Sequence, residues 1–322
     1  MEGQMANLEE AVVATLFNQS EMIADQVLKH NPFLRVLEDK GNIRKFTGGY
    51  EIRKPIMYNQ TAEGGFYSHF QSFNLDSIVD WTAFQFQVRQ VYEPVAIAGR
   101  DKRANSGEEQ LLDFVENKIQ AAIKRLKNTV SASLKGDGTA YSGTEFEGLK
   151  LAVASSPTSG TYGNIDRSVY SFAQNATSTG TTFTASNIQA ALTAGIIAIS
   201  RDQDGPDLGF AHSTAWKHLH SSLTAIQRIN GSQNKALGGF KALNYDQVDF
   251  VFDGGYGGAT VESNSVRLLN TDYWSFDVDR QTYFKPVEAK MTRPVDQDAF
   301  FTVILCEGNL CCSAPALQMY LS

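Results

Sequence analysis

The hydrophobic pattern changes period several times along the chain, and each change marks an element. Apolar residues at Leu8, Val12, Leu16, Ile23 and Val27 recur at helical spacing with polar residues between them. Asn31-Pro32 stops that pattern, because the residue before a proline is driven away from helical geometry. So short an amphipathic helix docks on its own domain or on a neighbour. From Phe46 to Gly99 the period becomes alternating: Phe84, Phe86, Val88 and Tyr92 share one strand face, and Gln85, Gln87 and Arg89 share the other. An earlier run, Tyr50 to Tyr58, alternates less cleanly and contains Pro55, which confines it to an edge or a bend. Glu63, Gly64 and Gly65 supply a turn between the two runs. The segment reads as a long β-arm whose apolar face is covered either by its own domain or by a partner.

Helical spacing returns with Leu111, Val115, Ile119, Ala122, Leu126, Val130 and Leu134, which form one continuous stripe. Asn105 and Ser106 are candidate caps, Glu108 and Glu109 suit the positive end of the dipole, and Gly136-Asp137-Gly138 ends the run. At about 1.5 Å per residue this helix spans roughly 45 Å. No heptad with flanking charge pairs is sustained, so it is a spine laid across a sheet and not a coiled-coil strand. Ser/Thr/Gly-rich loops at 155–163 and 175–184 follow, then helices from Ser186 to Ser200 and from Ser213 to Arg228. Short β-like runs at 250–253, 266–269 and 301–306 close the chain. The last of these is placed to return to a sheet begun before the spine, which makes the domains discontinuous.

With 322 residues the chain can bury a full core, and 42% hydrophobic with 20% charged residues fits a folded protein. A formal charge of −7 gives no general attraction for nucleic acid. Cys306, Cys311 and Cys312 form no disulfide framework and are read as buried free thiols in a reducing compartment. The N-terminus lacks a signal-like apolar region, and no apolar stretch is long enough to span a bilayer, so a soluble chain with no membrane partner is expected.

The search for chemistry finds little. No Walker, His-Glu-x-x-His or Gly-x-Ser-x-Gly pattern occurs, and the glycines at 254–258 lack dinucleotide spacing. His212, His218 and His220 sit close in sequence, but His218 and His220 point to different sides of a helix. Asp202, Asp204 and Asp207 surround Gly205, but Ser213 stands where a calcium loop needs its last carboxylate. The expectation is a solvated loop, with no catalytic residue, metal or cofactor.

One run stands apart: Asn164-Ile165-Asp166-Arg167-Ser168-Val169-Tyr170-Ser171-Phe172. It resembles a signature of the major capsid proteins of tailed double-stranded DNA bacteriophages. Three further regions resemble that family in the same order: Gln227-Arg228 with Gly239-Phe240 and Val251-Phe252-Asp253; Leu269 to Trp274; and Gln297-Asp298-Ala299 leading to Gly308-Asn309-Leu310. The first half is similar by layout alone. The resemblance implies an α+β fold with an N-terminal arm, an extended β-hairpin E-loop, a long spine helix with β-sheet forming a peripheral domain, and an α/β axial domain. Mapped by order, these occupy 1–45, 46–104, 105–160 and mainly 161–285, and 286–322 returns to the core sheet.

The function implied is self-assembly as pentamers and hexamers of an icosahedral head, with scaffolding, portal and decoration proteins as partners and packaged DNA nearby without specific binding. Localisation would be the virion, and the host cytoplasm during assembly. The resemblance favours a partner for the β-arm, with Thr61, Ala62, Glu63, Gly64, Gly65, Phe66, Phe84, Phe86 and Val88 as assembly residues. Asp166 and Arg167 are expected to pair, and Tyr170 and Phe172 to anchor a domain junction. Some relatives join subunits through a lysine–asparagine isopeptide bond; here Lys54 alone could supply the amine, away from the tip, so a noncovalent shell is expected. A bacterial nanocompartment shell shares the fold, but no cargo-docking groove is legible. A soluble enzyme with a site around Asp202–His220 or a decoration protein leaves the long spine unexplained.

Overall fold

A computed structural model of the chain describes residues 31–58, 66, 68–70, 81–100, 108–223, 242–252, 264–286, 293 and 296–322, with side chains of the segment 108–223 described from residue 116. The expected helix from Leu8 to Leu28, the caps Asn105 and Ser106, and the motif residues 227–228, 239–240 and 253 lie outside that set.

In chain order the elements are helix α1 (Pro32–Asp39), strands β1 (Ile43–Phe46), β2 (Glu51–Met57), β3 (Trp81–Gln87) and β4 (Arg89–Ala98), and helices α2 (Glu108–Lys135) and α3 (Leu149–Ala152). Strands β5 (Thr161–Tyr162), β6 (Ile165–Asp166) and β7 (Ala176–Ser178) follow, then helix α4 (Ile188–Ile199), β8 (Leu208–Ala211) and helix α5 (Ser213–Ser222). The remainder is strands: β9 (Ala242–Tyr245), β10 (Val248–Phe252), β11 (Val266–Leu269), β12 (Trp274–Asp279), β13 (Lys285–Pro286), β14 (Ala299–Cys312) and β15 (Met319–Leu321).

Asn31-Pro32 starts a helix as well as breaking a pattern. The Asn31 side-chain oxygen accepts from the amides of Phe33 (3.1 Å) and Leu34 (3.4 Å), and Pro32 occupies the first turn, where no donor is needed. Of the expected spine stripe, Ile119, Ala122, Leu126, Val130 and Leu134 are buried, as is Ile123, and the side chains of Leu111 and Val115 lie outside the described set. Its 28 residues span about 42 Å.

Two sheets organise the chain. In the first, the 14-residue strand β14 is the hub. Its C-terminal part, Gly308–Cys312, pairs antiparallel with β12, and its N-terminal part, Ala299–Gly308, pairs antiparallel with β4, which precedes the spine. Strand β1 adds to β12 in parallel. Gly308 sits where β4, β14 and β12 meet, and a Cβ there would lie 2.3 Å from the Asp277 carbonyl oxygen, so only glycine permits this approach. The second sheet has the order β7-β15-β11-β8-β10-β9. Helices α4 and α5 pack on it through Ile188, Leu192, Ile196, Ala215 and Leu219. Asp246 and Gln247, at φ 51° and 67°, turn β9 into β10 in the tight mirror-image form that suits hairpin twist.

The reading of Phe84 to Tyr92 as one strand face needs correction. Strand β3 pairs with β2 in a hairpin, whereas β4 leaves it to pair with β14. The inward set changes phase at the changeover, from Phe84 and Phe86 to Val95 and Ile97, and Tyr92 points outward. A one-residue phase shift moves every later side chain to the other face.

Candidate assembly site

The run from Asn164 to Phe172 grips the root of the β-arm. Gly163 and Asn164, at φ 54° and 62°, make the tight turn between β5 and β6. That turn lies against β3: the Gly163 carbonyl accepts from the Gln85 amide at 2.9 Å, and the Asn164 side-chain amide donates to Gln85 Oε1 at 3.2 Å. A Cβ at Gly163 would meet the Phe84 ring at 2.7 Å. Phe84 and Phe86 pack on Tyr162, and Phe172 packs on Phe84, Tyr58 and Tyr170. Phe84 and Phe86 are therefore buried in this chain's own core and do not face a neighbour. The sequence could not separate a face covered in cis from one covered in trans.

Asp166 and Arg167 do not pair. Asp166 accepts from the amide and hydroxyl of Ser168, at 2.8 and 2.7 Å, and these bonds hold its carboxyl below the ordinary range. Arg167 turns inward, lies over the Tyr162 ring, and donates from Nη2 to the carbonyls of Leu151 (2.7 Å) and Ala152 (3.0 Å). Arg267, on β11 of the other sheet, donates to the next carbonyl, that of Val153, at 3.1 Å. Two guanidiniums thus satisfy the carbonyls at the end of α3, where the helix dipole favours cations. Tyr170 stays half exposed.

The motif Leu269 to Trp274 is the crossing from one sheet to the other. Asp207 accepts from the Thr271 amide (2.8 Å) and hydroxyl (2.6 Å), and Asp204 accepts from the Tyr273 hydroxyl (2.6 Å) and the Asn270 side-chain amide. Lys40 bridges Asp207 and Asp272; burial pulls its ammonium down, and the two carboxylates outweigh that and hold it above its ordinary value. Gln318, on the second crossing from β14 to β15, accepts at Oε1 from the Asn270 amide (2.9 Å) and from Trp274 Nε1 (3.0 Å). Of the aspartates expected in a solvated loop, Asp204 and Asp207 are instead a clamp on this crossing, whereas Asp202 is exposed. Their spacing gave no sign of it; the Leu269–Trp274 motif was the one legible signal.

The arm itself is riveted once more. Lys54 on β2 forms an ion pair with Asp277 on β12 at 2.5 Å, with side-chain exposures of 11% and 8%. Nearby, burial pushes the Glu147 carboxyl up to about 7, partly countered by Arg89. Glu147 Oε2 and Arg89 Nε are both buried, with no hydrogen-bond partner among the described residues. Beyond the root, Met57, Trp81, Phe66 and Phe70 are exposed, whereas Val88 is half-buried. Thr61, Ala62, Glu63, Gly64 and Gly65 lie outside the described residues.

Among the histidines weighed for chemistry, His212 has structural work. His212 caps α5, its Nδ1 accepting from the amides of Thr214 (3.2 Å) and Asn264 (3.3 Å). His218 and His220 lie farther along the same helix. Burial raises the thiols of Cys306 and Cys312 to about 12, so neither is a nucleophile at neutral pH. Among the described residues no group of three or more His, Cys, Asp or Glu is placed to hold a metal ion.

The fold combines a hub sheet carrying an arm, a spine helix and a clamped second sheet, and comparison with solved structures identifies it. The chain has the α+β fold of tailed-phage major capsid proteins. It is similar to a chain of the cyanophage A-1(L) capsid asymmetric unit, with a TM-score of 0.61, 13% identity, and coverage of 91% of this chain and 92% of that one. A capsid chain of a native GTA particle matches with a TM-score of 0.60 at 7% identity, covering 89% of both chains. The SrpI encapsulin of Synechococcus elongatus matches with a TM-score of 0.55 at 10% identity, over 87% of this chain and 84% of that one. No protein-family profile and no curated protein matches the sequence.

Proposed function

We propose that this chain is a phage major capsid protein that assembles through pentamers and hexamers into the icosahedral head around a double-stranded DNA genome. The observation that carries the reading is the β-arm: its root is locked into the chain by Phe84, Phe86 and the Lys54–Asp277 pair, while its far part presents Met57, Trp81 and Phe66 to solvent. An arm rigidly held at one end with apolar residues at the other suits a contact in trans. A standard interface buries about 1,600 Å² in total, and ordering costs leave each contact weak, so stability comes from many contacts closed by symmetry. The assembly residues are then Thr61 to Phe66 with Val88 at the root, and the segment 161–285 forms most of the axial domain.

The net charge of −7 suits a wall past which packaged DNA must move without sticking. Scaffolding, portal and decoration proteins are the partners this reading implies. Lys54 is engaged inside its own chain, which supports a noncovalent shell. Denatured particles should therefore show one chain mass, and a ladder of covalent oligomers would contradict this. The encapsulin match keeps a nanocompartment shell as the second reading. Nuclease-protected DNA inside particles made with the neighbouring genes supports the first, and protein cargo the second. Deleting residues 61–66 should leave the thermal unfolding of the subunit unchanged and abolish particles; normal particles would refute the role of the arm.

A further inference from the structure

One flank of the spine is cationic. From Asn117 to Lys135, α2 carries Lys118, Lys124, Arg125, Lys127 and Lys135 and no carboxylate. Arg125 is engaged by Glu93 of β4. Lys124 and Lys127 lie on another side of the helix, in line with Ser131, because residues three, four and seven apart share a helix face. Lys124 is exposed and Lys127 half-buried. Burial and the neighbouring Lys124 hold the Lys127 ammonium below its ordinary value, so this flank gains from an anion that the described residues do not supply.

Ser131 is also where the chain comes onto the spine. Asn31, buried at the start of α1, directs its side-chain amide at Ser131 Oγ, 3.5 Å away. Residues 1–30 precede it, outside the described set, and carry the opposite charge: Glu2, Glu9, Glu10, Glu21 and Asp25 stand against Lys29. Glu21 and Asp25, four apart, share one row of the helix that the spacing from Leu8 to Val27 predicts, on the side away from Ile23 and Val27. At about 1.5 Å per residue they stand roughly 15 and 9 Å along such a helix from Asn31, while Lys124 and Lys127 stand roughly 10 and 6 Å along α2 from Ser131. The two rows match in charge and in reach.

We propose that the N-terminal segment of this same chain lies along the spine, with Glu21 and Asp25 against Lys124 and Lys127. The contact lies within one chain and is independent of the shell reading. Tethering selects the occupant: a segment joined to the fold beside Ser131 is held near the flank at a high effective concentration, which a separate acidic peptide lacks. Because the rows meet through charge, the contact weakens with salt, as screening shortens from about 10 Å at 0.1 M to about 3 Å at 1 M.

The test uses the full chain. Light and isotopically heavy chains are refolded together and treated with a carbodiimide, which condenses a carboxyl with a nearby amine to an amide and takes up the water as a urea. In low salt, amides should join Glu21 or Asp25 to Lys124 or Lys127 within chains of one isotope, and they should fall several-fold at about 1 M salt. Amides between isotopes would put the segment on a second copy, and no amides would leave the flank without it; either result overturns the proposal. Lys124→Ala with Lys127→Ala should speed tryptic cleavage after Lys29 several-fold in low salt, with the thermal unfolding of the subunit unchanged. An unchanged cleavage rate would also overturn the proposal. Particle formation decides the shell reading separately, and none of these outcomes bears on it.

Discussion

Glu147 is the residue whose environment makes the sharpest demand. Its carboxyl is raised from 4.5 to about 7 because burial penalises the charge more than Arg89 relieves it. The folded state therefore holds the proton more tightly than the unfolded chain between those values, and its stability falls as pH rises through that window. Glu147→Gln should flatten the fall and stabilise the subunit at pH 8 by up to about 3 kcal/mol, read from urea unfolding at several pH values. An unchanged pH profile would mean that the carboxyl is solvated. Arg167 makes the opposite prediction. Arg167→Ala leaves the carbonyls of Leu151 and Ala152 without their donor and should cost on the order of 3 kcal/mol. Arg167→Lys should recover only part of this, since one ammonium lacks the planar fork that lies over Tyr162.

At the scale of elements, the β-arm is fixed to the body by packing and by one buried ion pair. Lys54→Met leaves Asp277 charged and buried, which should cost about 3–5 kcal/mol, whereas adding Asp277→Leu should recover most of the loss. A double variant no more stable than the single would show that the pair gives more than mutual neutralisation. The elements also show what periodicity can carry. The stripe from Ile119 to Leu134 marked the spine because a single helix face is a local property. Phe84 and Phe86 were recognised as apolar and placed on the wrong side of the subunit boundary, because alternation says that a face is covered and never by what. The clamp was not legible either: Asp204, Asp207, Lys40 and Gln318 reach Leu269–Trp274 from elsewhere in the chain, and only the tertiary fold joins them.

For the whole molecule, the two sheets are joined by two neighbouring crossings, β11 to β12 and β14 to β15, stitched together through Gln318. That arrangement joins the two crossings into one hydrogen-bonded junction. The function proposed for this chain is exercised by repetition, as assembly into a shell. Electron microscopy of the chain expressed alone and with its neighbouring genes tests that claim most directly. Closed icosahedral particles are the predicted result, and a discrete monomer under every assembly condition would contradict the account.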